Sequence, residues 1–241
     1  MHLALFDASL GTAHARRNFQ REVNASLTIY QVNRGEMPPP TGTREGNGRS
    51  APFDGAIISG SQSSVYDDRP WIQELSRWVE GAIADGLPIL GVCWGHQLLA
   101  QVLGGTVKGG SYELGYVTVH QEGDDPIWDG IADPFTVFAT HSDHVVALPA
   151  DATLLASNDT GVQAFRCGSV YGVQFHPEYD RETAEAMIDS KTLPEDDLQA
   201  ARDTCTPENV DAARGPKRIF DNFLDHVAQP PATPSPSGLN A

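Results

Sequence analysis

A chain of 241 residues, 40% of them hydrophobic, is long enough for one globular domain with a sizeable core. Its 32 acidic against 16 basic residues give a formal charge of −16, and Lys108, Lys191 and Lys217 are its lysines; such a field repels nucleic-acid phosphates and argues against a DNA or RNA partner. No run has the length of a membrane span, and three cysteines without regular spacing, Cys93, Cys167 and Cys205, argue against a disulfide framework and for a reducing cytoplasm.

Residues 3–6 read as a first strand, since the N-terminus lacks the basic region of a secretion signal. Further strands are expected at 27–32 and 56–59. Between them, 34–52 is rich in Gly, Pro, Arg and Glu and reads as an exposed loop. Trp71, Leu75, Trp78, Val79 and Ile83 recur at helical spacing. Residues 89–92 form a short apolar run of buried-strand type, and from Gln97 the spacing turns helical, with Leu98, Leu99, Val102 and Leu103 on one side. Strands follow at 112–121, 135–146, 152–157, 162–166 and 170–175, then a helix over 180–190. Residues 191–214 read as an acidic insertion, helical but exposed. Ile219, Phe220, Phe223, Leu224 and Val227 make a last amphipathic helix, and 229–241, with four prolines among small polar residues, reads as a disordered tail. The expectation is one domain over 1–228, an α/β fold with a doubly wound, mostly parallel sheet covered on both faces.

Cys93 falls on the corner between the strand at 89–92 and the following helix. Gly91 and Gly95 flank it, as a crowded turn requires, in the manner of a nucleophile elbow with sulfur in place of oxygen. A helix N-terminus behind the thiol favours its anionic, reactive form. A base is offered by Val173-Gln174-Phe175-His176-Pro177-Glu178: if the strand continues through Pro177, His176 and Glu178 project to one side, and the carboxylate orients the imidazole. His141, Asp143 and His144 are metal-ligating types, but no further ligand stands at recognisable spacing, so they read as polar loop residues and neither a metal nor a cofactor is expected.

Gly91-Val92-Cys93-Trp94-Gly95-His96-Gln97, followed by Gly172-Val173-Gln174-Phe175-His176-Pro177-Glu178, resembles the class I glutamine amidotransferases, most closely the amidotransferase part of GMP synthase and its free-standing relatives. The resemblance covers most of 3–228 and implies a flavodoxin-like wrapping. It assigns Cys93 as nucleophile, His176 as general base and acid, Glu178 as its orienting partner and Gln97 as a hydrogen-bond partner of bound glutamine. The segment Gly60-Ser61-Gln62 matches the family's Gly-Gly-Pro loop, so the resemblance assigns Gly60 to the substrate pocket and the Ser61 N–H to the oxyanion hole, with the Trp94 N–H as second donor; Ser61 stands where a glycine is usual. Thr140-His141-Ser142-Asp143 resembles the family's Ser-His-Gly-Asp segment and places His141 and Ser142 near the glutamine pocket. In the family, ammonia passes to a synthetase, and the chain contains no G-x-x-x-x-G-K-[ST] motif, so ATP chemistry falls to a separate partner. Three readings follow: a glutaminase subunit of a two-protein, GMP synthase-like enzyme, a free-standing hydrolase of γ-glutamyl compounds, or a non-catalytic regulatory relative. The acidic, lysine-poor composition suits a protein kept soluble in high salt, where self-repulsion is screened.

Overall fold

Leu3 to Phe6, Gly55 to Ile58 and Ile89 to Val92 carry no polar alternation because both faces of each strand are covered, and all are buried. The computed structural model describes residues 1–11, 14–39 and 52–229. Most of the loop expected over 34–52, and all of the tail beyond Gln229, lie outside the described residues.

In chain order the elements are β1 (His2–Asp7), α1 (His14–Glu22), β2 (Ser26–Gln31), β3 (Gly55–Ile58), α2 (Pro70–Ala84), β4 (Ile89–Val92), α3 (Trp94–Val102), β5 (Thr106–Gln121), β6 (Phe135–Ala147), β7 (Thr153–Asn158), β8 (Gly161–Cys167), β9 (Val170–Val173), α4 (Arg181–Asp189), α5 (Glu195–Asp203), α6 (Pro207–Ala212) and α7 (Arg218–Ala228). The strands form one sheet of 9 strands in the order β2-β1-β3-β4-β9-β8-β7-β5-β6. From β2 to β9 the pairings are parallel; from β9 to β6 they are antiparallel. The antiparallel half is larger than a mostly parallel sheet implies. Between Thr106 and Val173 the chain returns through short connections without an α-helix, and such connections join antiparallel neighbours.

Helices cover both faces, and the two-residue period of the strands sorts the core. Leu3, Leu5, Ile57, Leu90 and Val92 meet Phe19 of α1 and Phe220 and Phe223 of α7. Ala4, Phe6, Ala56, Ile58 and Ile89 meet Leu75 and Val79 of α2 and Leu98 and Leu99 of α3. In α2, Pro70 opens the helix at a position whose N–H would be unsatisfied anyway. Ile72, Leu75, Val79 and Ala82 then line its inner face, each large side chain contributing about 1.5–3 kcal/mol on burial. Gly86, at φ 74°, takes the left-handed turn that ends it.

Two expectations change. The 191–214 segment is helical, but α5 is docked: Leu198 and Ala201 pack with Tyr116 of β5 and Phe138 of β6, and Thr204 Oγ1 accepts the Tyr116 N–H at 2.8 Å. The strand before His176 ends at Val173; beyond it the His176 N–H donates to the Phe138 carbonyl at 2.8 Å.

Candidate active site

Open α/β sheets place ligands beyond the carboxyl ends of their parallel strands, where β1, β3, β4 and β9 here deliver Ser9, Gly60, Cys93 and His176. These four line one cavity of about 210 Å³, together with Ser61, Gln97, Tyr112, Thr140, His141, Ser142, Glu178 and Tyr179. The Ser59 hydroxyl accepts the Ala8 N–H at 2.9 Å and ties the ends of β1 and β3 together.

Cys93 is the non-glycine residue with positive φ among the described residues, at φ 54°, ψ −106°. Strain of this kind costs on the order of 1–3 kcal/mol and persists only where the surroundings enforce it. They do so through two glycines: a Cβ on Gly91 would stand 2.4 Å from the Gly95 carbonyl oxygen, and one on Gly95 would stand 2.4 Å from the Ile58 carbonyl oxygen. The Cys93 N–H donates to the Val173 carbonyl at 2.8 Å, and its carbonyl accepts the Gln97 N–H at 3.1 Å, so the corner is bonded to β9 and to α3 at once. The Cys93 thiol lies 3.9 Å from the Thr140 carbonyl as a weak donor.

His176 and Glu178 are 5% and 1% exposed. His176 Nδ1 bonds Glu178 Oε1 at 2.8 Å, and its buried Nε2 has no hydrogen-bond partner within normal distance among the described residues. The ring stacks on Tyr179 at 4.2 Å between centroids. Burial opposes charging it, yet the Glu178 carboxylate and the Cys93 sulfur outweigh burial and carry its pKa up to about 10. Gly60 is wedged between imidazole and thiol: a Cβ there would stand 2.9 Å from His176 Cε1 and 3.6 Å from Cys93 Cβ. The His176–Glu178 segment is anchored from behind, where Arg21 Nη2 donates to the Glu178 carbonyl at 2.7 Å and Nη1 to Asp180 Oδ2 at 2.6 Å.

Gln97 donates its amide N–H groups to the Asp143 carbonyl at 2.9 Å and to Gln174 Oε1 at 3.1 Å. What it offers a ligand is therefore its carbonyl oxygen, an acceptor. Thr140 to Asp143 belong to strand β6, not to a loop, and His141 is 5% exposed. Its Nε2 bonds Glu113 Oε2 at 2.8 Å and its Nδ1 the Asp143 carbonyl at 3.1 Å. Asp143 Oδ1 accepts from the Tyr66 hydroxyl, and His144 Nε2 bonds the Ser111 carbonyl at 2.8 Å. The three residues thus turn to protein partners.

The Ser61 N–H takes part in no hydrogen bond among the described residues, while its hydroxyl accepts the Ser63 N–H at 3.2 Å. Trp94 stands apart from the cavity wall. Its indole is buried against Trp71 at 5.2 Å, and only its backbone N–H, at the first position of α3, is left for the pocket. Tyr112, Tyr179, Glu113 and Lys191 border or brace the cavity and carry no local sequence signal; only the scarcity of lysine marks Lys191, one of three in the chain.

The family model for glutamine amidotransferase class I matches residues 5–193. The glutamine-hydrolyzing GMP synthase of Pyrobaculum aerophilum is 42% identical over 123 residues, 51% of this chain and 23% of that protein. A protein of Halobacterium salinarum, named as one of the subunits of a glutamine-hydrolyzing GMP synthase, is 39% identical over 144 residues, 57% of this chain and 73% of that protein. The match thus spans about a quarter of the first relative's length. A glutamine amidotransferase crystal structure from Thermotoga maritima superimposes with a TM-score of 0.70 at 21% identity, covering 94% of this chain and 96% of that one, a likeness of fold. With the family model matched over most of its length and its elbow, imidazole and carboxylate gathered in one cavity, the chain belongs to the class I glutamine amidotransferases.

Proposed function

We propose that the chain is the glutaminase subunit of a two-protein, GMP synthase-like enzyme. The observation that carries this reading is the buried line from the strained Cys93 corner through His176 to Glu178, with Nδ1 to Oε1 at 2.8 Å. The cavity of about 210 Å³ falls below the roughly 300–1,000 Å³ of drug-sized sites and suits one amino acid.

Cys93 gives its thiol proton to His176, and the sulfur attacks the side-chain amide carbon of glutamine, forming a C–S bond while the carbonyl electrons move to oxygen. The backbone N–H groups of Ser61 and Trp94 hold that oxyanion, each worth about 10²–10³ in rate. His176 protonates the departing nitrogen, the C–N bond breaks, and ammonia and a γ-glutamyl thioester result. His176 then takes a proton from water, whose oxygen displaces the sulfur and releases glutamate. Glu178 keeps the ring in register throughout. Gln97 accepts a substrate N–H, with Gly60, His141 and Ser142 completing the walls. No resident metal or cofactor enters these steps.

A partner is supported by the Halobacterium relative, itself named as part of a multi-chain enzyme; the partner supplies the ATP chemistry and receives the ammonia. The free thiols of Cys93, Cys167 and Cys205 support a reducing, cytoplasmic setting, and the charge of −16 supports work at high salt. No helix among the described residues is long and apolar enough to cross a membrane. The test is ammonia release from glutamine by the purified chain, alone and with an ATP-dependent synthetase subunit from the same cells. Slow release that the synthetase accelerates is expected. Rapid release that no addition raises would refute the subunit reading in favour of a free-standing γ-glutamyl hydrolase.

A further inference from the structure

Glutamine is a zwitterion, and its α-carboxylate must be held inside a protein of formal charge −16. Among the described residues, the two histidines beside Cys93 at the reacting end are already engaged. The His176 ring is tied to Glu178, and the His141 ring is spanned by Glu113 and the Asp143 carbonyl. Among the described residues that line the cavity, Lys191 is the one lysine or arginine. Its side chain forms no ion pair among the described residues, and its Nζ lies 5.6 Å from the centre of the Tyr112 ring.

Lys191 is also held in place. Its backbone N–H donates to the Ile188 carbonyl at 3.1 Å just past the end of α4, which fixes where the side chain leaves the backbone. The Tyr112 hydroxyl stands 3.2 Å from Thr140 Oγ1, and the Thr140 carbonyl is 3.9 Å from the Cys93 sulfur. One aromatic side chain and one residue of β6 therefore bridge thiol and ammonium across the wall of the cavity. A cation resting on an exposed ring face is weakly bound, so the ammonium can turn to an incoming carboxylate without breaking a strong contact.

The geometry points to Lys191 as the residue that binds the free α-carboxylate of the substrate. The site then accepts free glutamine and γ-glutamyl compounds and excludes glutamine whose α-carboxyl is tied up in a peptide bond. This assignment rests on the glutaminase reading and names the polar group that reading requires at the far end of the substrate.

Two substrates separate the cases: glutamine, and 4-aminobutanamide, which is glutamine without its α-carboxylate. Losing a charge-assisted hydrogen bond, Lys191→Gln should raise KM for glutamine about tenfold to a hundredfold and leave kcat within about twofold, the pattern of lost substrate binding. Lys191→Arg should restore most of the loss, and kcat/KM for 4-aminobutanamide should be the same in all three proteins. In parallel, Cys93 labelling by 6-diazo-5-oxonorleucine, which carries the α-carboxylate, should slow in Lys191→Gln while labelling by iodoacetamide does not. An unchanged KM for glutamine, or an equal loss with 4-aminobutanamide, overturns the assignment while leaving the glutaminase reading intact. A native protein that neither hydrolyses glutamine nor reacts with the diazo ketone overturns both.

Discussion

Replacing Gly60 by alanine tests the placement of the base with one carbon atom. The new Cβ would stand 2.9 Å from His176 Cε1, about 0.6–1.1 Å inside the 3.5–4.0 Å at which carbon atoms rest. The His176 ring cannot retreat freely, because Tyr179 stacks on it at 4.2 Å and Glu178 holds Nδ1 at 2.8 Å. A displacement approaching 1 Å of a catalytic group costs on the order of a hundredfold in rate, or about 2.7 kcal/mol of transition-state stabilisation. Folding should change less. Overpacking costs about 1–3 kcal/mol, alanine recovers about 0.4–1 kcal/mol by restricting the unfolded chain, and Gly60 does not have the positive φ that would add strain. The assays are ammonia release from glutamine and a melt followed by circular dichroism. A fall in kcat of roughly a hundredfold with a Tm lowered by no more than about 8 °C is expected. Retention of kcat within about twofold would refute the placement of His176 against Gly60, or its part in the reaction.

His96 is fully buried against Phe165 at 5.0 Å, and burial pushes its pKa down to about 3, so between about pH 6.5 and 3 the unfolded chain binds a proton there that the folded chain does not. Stability therefore falls with falling pH at about 1.4 kcal/mol per unit, and His96→Met should be less acid-labile by about 2 kcal/mol at pH 5, read from denaturant melts at pH 7 and 5. Equal acid losses in both proteins would contradict the neutral, buried ring. Thr204→Val should destabilise the protein by about 1–3 kcal/mol, because the Tyr116 N–H, 2.8 Å from Thr204 Oγ1, loses its acceptor. Resistance to mild proteolysis across 191–214 should fall with it, whereas an unchanged melt would mean that α5 is not docked as described. Raising KCl from low to molar concentration should raise Tm by screening repulsion among the 32 acidic residues; a flat or falling curve would remove the high-salt reading.

The elbow is legible in the sequence because its steric demand is local: Gly91 and Gly95 stand where a Cβ would meet backbone oxygen at 2.4 Å. His176 and Glu178 are legible as a pair through their spacing, but not through the strand expected to align them. That strand ends at Val173, and what orients His176 is a bond to Phe138, 38 positions earlier. The buried pair of Glu113 and His141 and the approach of Lys191 to Tyr112 depend on pairings between distant segments and leave no local mark. Helix α1 shows only one buried apolar residue, Phe19, in nine, too few for an apolar stripe. In 191–214 the acidic surface conceals a short apolar stripe, of which Leu198 and Ala201 are the buried members. The parallel half of the sheet is readable as apolar runs separated by helices; the antiparallel half gives strands without an order, because register is set across the sheet.

The central claim is that Cys93 forms a γ-glutamyl thioester with glutamine. It is tested most directly by acid-quenching the protein during turnover and locating the adduct by peptide mass spectrometry. The account predicts the mass of one γ-glutamyl group on the peptide containing Cys93, accumulation of that adduct when deacylation is slowed, and none on Cys167 or Cys205. An adduct on another residue, or undiminished ammonia release by Cys93→Ala, would contradict it.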